Sequence, residues 1–247
     1  MEDKIEIYGI HAILEAIESE TNIEKVWLLK GNRGSLFQRL EQSLRQNNIP
    51  HSYVPKERLE RFKNKNHQGA IATISKIKFI EVEELIESAF KNNDSPTFIL
   101  LDGITDARNV GAILRSCAAT GVNGLIIPQT GSAPINDDTI KTSAGGAFKV
   151  PISRVNHLKD AVYLLKSYKT QIIAVSEKSN ENLFNLKIEK SAAVIMGSED
   201  KGIQSSLLKI CDSSIKLPME KGVDSLNVSV ACGIVLYEKI RQQLASK

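Results

Sequence analysis

TFILLDGITDARNVGAILRSCAATG, residues 97–121, reads as a strand, a loop and a helix in succession. TFILL is an unbroken apolar run, the pattern of a parallel strand covered on both faces. Val110, Ile113, Leu114, Cys117 and Ala118 then fall at i, i+3, i+4, i+7 and i+8, which predicts a helix with one buried face. Gly121 is placed to end it in a left-handed C-cap. Asn109 is the predicted N-cap. Gly103 and Gly111 permit a tight turn and close backbone approach. Asp102 and Asp106 read as turn residues.

Outward from this unit the alternation continues. GLIIP is a strand, HLKDAVYLLKSY a helix, and QIIAV, AAVIM and SIKL are strands. A last helix is expected from Leu226 to Leu244. This order predicts an α/β fold, a parallel sheet with helices on both faces, over residues 97–247. Residues 1–75 read as a small separate α/β unit. Its helices are IHAILEAIES, SLFQRLEQSLRQNN and PKERLERFKNK, and its strands are KVWLL, HSYV and GAIATIS. Residues 76–96 are the predicted linker, with VEELIESAF as a short helix ahead of the turn-rich KNNDSP.

Composition limits the function classes. The 247 residues are 42% hydrophobic and 25% charged, with net charge +3, an ordinary globular balance that permits an RNA partner without requiring one. Cys117, Cys211 and Cys232 are too few and scattered for a disulfide framework, which fits a reducing compartment. MEDKIEIYGI lacks a signal pattern, and no apolar run reaches the ~18 residues of a membrane span. A cytoplasmic protein with no membrane partner is expected. His11, His51, His67 and His157 stand apart from cysteines and carboxylates at ligand spacing, so no metal site is expected. No GxGxxG follows a strand, and neither GxxxxGK[ST] nor GxSxG occurs.

Two more strand exits carry polar residues. In IMGSEDKG (195–202), Gly197 allows close backbone approach, Ser198 and Glu199 project at the edge, and a helix is expected over 203–210. In IKLPMEKGVDSLNVSVA (215–231), Leu217 and Pro218 end a strand, and Ser225 is the predicted N-cap of the last helix. Asn227 and Ser229 are poor helix-interior residues, which suggests that their polar groups face something. Leu226 to Tyr237 is apolar on nearly all sides, so that helix must be covered by the fold or by a partner. Exits of a parallel sheet are where ligands bind, and three of them point to one composite site. Arg115, off the apolar stripe of its helix, reads by position alone as a surface residue.

Three elements in this order resemble the SpoU family of RNA ribose 2′-O-methyltransferases. They are N-x-G-A-x-x-R (Asn109, Gly111, Ala112, Arg115), G-x-E-x-x-G (Gly197, Glu199, Gly202) and SLNVSVA (225–231). YGIHAILEAI and NHQGAIA (66–72) resemble the extra N-terminal substrate-binding domain of one branch, which includes enzymes acting on a guanosine of 23S ribosomal RNA. The resemblance implies a C-terminal trefoil knot, a rarity among proteins, and an N-terminal domain like an RNA-binding ribosomal-protein fold. It also implies S-adenosyl-L-methionine bent within the knotted loops, and a homodimer with the final helix in its interface. One departure stands out: DARNVGA replaces the frequent DPxNLGA, so Ala107 loosens the loop and removes no functional group.

The resemblance assigns roles. Arg115 is expected nearest the attacking hydroxyl. It would orient that hydroxyl and stabilise charge, or accept its proton if perturbed, since a guanidinium ordinarily holds its proton beyond pH ~12. Asn109 would orient Arg115 or the ribose, and Glu199 would fix Arg115 or a neighbour. Asn227 and Ser229 would hold the substrate and the helix start. Backbone around Gly197, Leu217, Met219 and Leu226 would clamp the cofactor. Lys30, Arg33, Arg58 and Arg61 are candidate phosphate contacts, with Lys56, Lys63 and Lys65 beside them; Glu57 and Glu60 interrupt this run. Other targets compatible with the chemistry are a transfer RNA ribose or a ribosomal site that confers antibiotic resistance. A non-catalytic RNA-binding assembly factor is the alternative from another class; the intact Asn109, Arg115, Glu199, Asn227 and Ser229 argue against it.

Overall fold

The computed structural model describes residues 4–19, 21–75, 77–222 and 225–245. The chain opens with β1 (Lys4–Tyr8), α1 (Ile10–Glu18), β2 (Ile23–Leu29), α2 (Ser35–Gln46), β3 (His51–Val54), α3 (Lys56–Leu59) and β4 (Ala70–Ser75). The four strands form one sheet in the order β1-β4-β2-β3. β4 runs antiparallel to both neighbours, and β3 lies parallel to β2. Ile13, Leu14 and Ile17 of α1 and Phe37, Leu40 and Leu44 of α2 are buried at helical spacing.

α4 (Val82–Asn92) lies within the predicted linker and packs on the second sheet, close enough that a Cβ on Gly124 would stand 2.4 Å from Leu85 Cδ2. Then follow β5 (Thr97–Asp102), α5 (Ala107–Thr120), β6 (Gly124–Pro128), α6 (Asp137–Ser143), α7 (Gly146–Lys149), β7 (Ile152–Val155) and α8 (Leu158–Ser167). β8 (Gln171–Val175), β9 (Glu181–Asn182), β10 (Ala192–Gly197), α9 (Ser205–Leu208), β11 (Ser213–Lys216) and α10 (Val228–Ala245) complete the chain. The seven strands form a wholly parallel sheet in the order β7-β6-β5-β10-β8-β11-β9.

Strand alternation divides the core into two layers. Ile99, Leu101, Val194 and Met196 face α5 and α10, whereas Phe98, Leu100, Ala193 and Ile195 face α4 and α8. The first layer continues into the N-terminal unit through Ile7 and Ile13, because α6 packs on β1. Lys65 Nζ reaches Asp137 Oδ2 at 2.6 Å across the same junction. That lysine is therefore held within the chain.

Helix boundaries correct three expectations. α5 begins at Ala107, and its N-cap is Asp106, whose Oδ1 accepts from Arg108 N at 2.7 Å. Asn109 thus sits inside the first turn with its side chain free for other work. Gly121 does close α5 at φ 69°. The last helix starts at Val228, and Asn227 caps it by accepting from Ser229 N at 2.9 Å, so Ser225 does not. The helix expected over 203–210 shrinks to α9, because Gln204 is tied back to β5. Cys117 and Cys232, far apart in sequence, lie side by side between α5 and α10, and burial pushes the Cys117 thiol well above its usual range.

Candidate active site

β5 and β10 are neighbours in register from Ala192 opposite Thr97 to Gly197 opposite Asp102, so both strands end at one level. The turn after β10 folds back on itself. Gly202 N donates to Ser198 O at 2.9 Å, and Lys201 N donates to Ser198 Oγ at 3.1 Å. A Cβ on Gly197 would lie 2.3 Å from Gly202 C, so the strand end and its return are in backbone contact. Asp102 locks the turn to β5. Its carboxylate is buried and accepts from Gln204 N at 2.7 Å and Gln204 Nε2 at 2.8 Å. The sequence left Asp102 as a turn residue; the one signal was its place at the end of an apolar strand, where an acid needs partners.

The third exit meets this pair through Asn227. Asn227 Nδ2 donates to Asn109 Oδ1 at 3.0 Å and to Glu199 Oε1 at 3.1 Å. Val228 N donates to the same Glu199 oxygen at 3.3 Å, and Ser229 Oγ donates to Asn227 Oδ1 at 2.5 Å. Four of the five predicted catalytic residues thus form one cluster. Glu199 Oε2 has no partner among the described residues.

Arg115 lies elsewhere. It is exposed on α5 and lines a separate depression of about 480 Å³ with Ser229, Val230 and Tyr237. Among the described residues it makes no hydrogen bond or ion pair, so it is not fixed by Asn109 or Glu199. The carboxylate that feels its charge is Glu15 on α1; burial raises the Glu15 pKa, and His11 and Arg115 pull it back. Gly111, shared with the motif, serves packing: a Cβ there would meet Thr139 O at 2.6 Å.

Beneath the cluster is a cavity of about 280 Å³. Gly197, Leu217, Met219 and Leu226, the four predicted cofactor residues, all line it. Val228 and Ala231 add to its apolar lining, and Glu199 lines it as well. Lys30, Arg33 and Arg58 are exposed on the N-terminal unit; the side chain of Arg61 lies outside the described residues. Among the described residues no group of three or more His, Cys, Asp or Glu side chains is placed to hold a metal. None of their helices is long and apolar enough to cross a membrane.

The model of the SpoU rRNA methylase family matches residues 96–237, which include every element of this site. The chain belongs to the SpoU rRNA methylase family. Residues 7–80 match the substrate-binding domain of RNA 2′-O-ribose methyltransferases, so this SpoU protein falls in the class that methylates ribose in RNA. The 23S rRNA (guanosine-2′-O-)-methyltransferase RlmB of Vibrio parahaemolyticus is 33% identical over 243 residues, 98% of each chain. A Staphylococcus haemolyticus protein ascribed to the TrmH family of tRNA/rRNA methyltransferases is 32% identical over 98% of this chain and 97% of its own. The fold matches that of the SpoU methyltransferase AviRb from Streptomyces viridochromogenes in complex with AdoMet, with TM-score 0.77 and 21% identity over 98% of this chain and 91% of that one.

Proposed function

We propose that the protein transfers a methyl group from S-adenosylmethionine to the 2′-oxygen of a guanosine ribose in 23S ribosomal RNA. The observation that carries this reading is the convergence of Asn109, Glu199, Asn227 and Ser229 over a cavity lined by Gly197, Leu217, Met219 and Leu226. Relatives at 33% identity are named for that guanosine, which supports a 23S target.

The cavity suits the cofactor. Its apolar side walls accept the adenine, and the turn that Gly197 packs against Gly202 offers backbone groups to the polar edges. When bound, S-adenosylmethionine supplies a methyl group already activated on a sulfonium. The chain's own task is then positioning. Asn227 holds Asn109 and Glu199 together and leaves Glu199 Oε2 as the acceptor that orients the ribose hydroxyl. Ser229 fixes the Asn227 amide from the other side.

Arg115 stabilises the charge that develops on that oxygen. It lies on the face where Val230 is 50% and Tyr237 57% exposed, the face by which we propose two copies associate through α10. Arg115 meets the reacting oxygen only in that dimer. The loops around the cavity would be threaded as a trefoil knot, supported by the way the segments after β8, β10 and β11 wrap one space. Residues 1–75 would present Lys30, Arg33, Arg58 and Arg61 to phosphates, joined by residues 76–96 to the catalytic unit 97–247, all in the cytoplasm.

The test combines S-adenosylmethionine binding by calorimetry with methyl transfer to total RNA from a strain lacking the protein, followed by mapping of the modified nucleotide. A 2′-O-methylguanosine in 23S RNA is expected. Methylation of transfer RNA alone would replace the target, and binding without any transfer would remove the activity. Sedimentation of Tyr237→Glu should show monomers without transfer.

A further inference from the structure

A larger cavity at the catalytic edge, about 1170 Å³, adjoins the donor cavity and is not the same space. Ser198, Glu199, Gly202 and Val228 form a wall common to both. The larger groove also takes in Asn109 and extends to the exits of β6 and β7, where Thr130, His157, Lys159 and Asp160 line it.

Its charge does not suit a run of phosphates. Five carboxylates, Asp102, Asp106, Asp160, Glu199 and Asp200, stand against Lys159 and Lys201, and phosphates require the opposite balance. Three of the five are already engaged: Asp102 by Gln204, Asp106 by Arg108 N, and Glu199 by Asn227. The Asp160 and Lys159 side chains have no partner among the described residues, and His157, at the N-cap position of α8, makes no capping bond.

A carboxylate that accepts, an ammonium that donates and a ring that stacks are the complement of one nucleobase edge. Guanine donates from N1–H and the N2 amine side by side, a fork that a carboxylate accepts with two oxygens, and carries the O6 acceptor next to them. Adenine, cytosine and uracil offer no adjacent pair of donors. Bases that proteins read in RNA are splayed out, stacked and bonded along this edge.

We propose that Asp160, with Lys159, reads the Watson–Crick edge of the target guanine after that nucleotide swings out of its stack into the groove. Asp160 and Lys159 are then specificity-determining residues for the proposed reaction, on which this inference rests. The shared wall at Glu199 places the ribose beside the donor cavity, and the far wall at Asp160 receives the base.

The test uses the full-length protein and a 23S RNA fragment carrying the mapped nucleotide as guanosine, as inosine, which lacks the N2 amine, or as adenosine. In the wild type, inosine should lower kcat/KM by about 5- to 100-fold, as should Asp160→Asn with guanosine. With Asp160→Asn, inosine should cost nothing further, because both changes remove one interaction. Asp160→Ala should give the same result where asparagine retains an acceptor. Additive losses would overturn the inference, as would equal use of guanosine and adenosine by the wild type. Failure of the wild type to methylate any RNA would instead overturn the reaction itself.

Discussion

Asn227 donates to Asn109 at 3.0 Å and so joins the first turns of α10 and α5 across 118 residues. The same side chain caps α10 through its oxygen. Helix capping and the proposed alignment of the site therefore meet in one residue, and they can be separated. Serine caps helices as well as asparagine does but has no amide to bridge Asn109 and Glu199. Asn227→Ser should keep the melting temperature close to wild type and lower single-turnover methyl transfer by about a hundredfold, the scale of a lost alignment. Asn227→Ala should lose transfer and also about 1 kcal/mol of stability. Wild-type turnover in Asn227→Ser would show that the bridge does not align the reaction.

Gly197→Ala tests the proposed donor cavity. The new Cβ would stand 2.3 Å from Gly202 C and 2.5 Å from Ile203 N, both backbone atoms that cannot swing aside. The turn over the cavity must shift, at about 1–3 kcal/mol of stability. Affinity for S-adenosylmethionine, read by calorimetry, should fall at least tenfold. Gly121→Ala is the control: its φ of 69° is strained for alanine, but nothing lies within 4 Å, so stability should fall while affinity holds. Unchanged affinity in Gly197→Ala would separate the cavity from the cofactor.

The layout of the parallel sheet was legible because short apolar runs such as TFILL and AAVIM, which suit strands covered on both faces, alternate with helical patterns. Gly197 and Leu217 were legible because β10 and β11 end there at one edge, whereas Met219 and Leu226, in the loop before α10, came from the resemblance. Three features were not legible. Asp106 and Asn109 are both good caps, three residues apart, and only the helix geometry chooses between them. The placement of Arg115 depends on how α5 turns against α10, which no local pattern encodes. Gly111 has the signature of a ligand-facing glycine yet exists for α6, since a packing glycine and a binding glycine are identical in sequence.

Salt dependence should sort the basic residues of the N-terminal unit. Lys30 and Arg58 are exposed, whereas Lys65 bonds Asp137 at 2.6 Å and lies 3.7 Å from Asp138. If Lys30 and Arg58 meet phosphates, replacing either by alanine should reduce the slope of log affinity for RNA against log salt by about 1. Lys65→Ala should leave that slope near wild type and cost at most about 1 kcal/mol, the worth of an exposed ion pair. Filter binding of an RNA fragment across a salt series reads both. A loss of slope in Lys65→Ala would mean that RNA displaces Asp137.

Lys239 is expected to give the protein a stability that rises with alkaline pH. Its side chain is 3% exposed, donates to Lys190 O at 2.6 Å, and is lowered by burial to about 8. In the unfolded chain a lysine titrates near ~10.4. Below about 8 both states hold the proton, and the fold bears the cost of a buried charge. Between the two values the unfolded chain keeps a proton that the folded chain has released, so stability climbs with pH until the unfolded lysine also titrates. Other groups titrate in this range, so the measurement is the difference between wild type and Lys239→Met in urea melts from pH 7 to 10.5. Methionine fills the same channel without charge, so the variant should lead at pH 7 and lose its advantage steadily above pH 8. A constant difference across that range would mean that Lys239 stays charged in the fold.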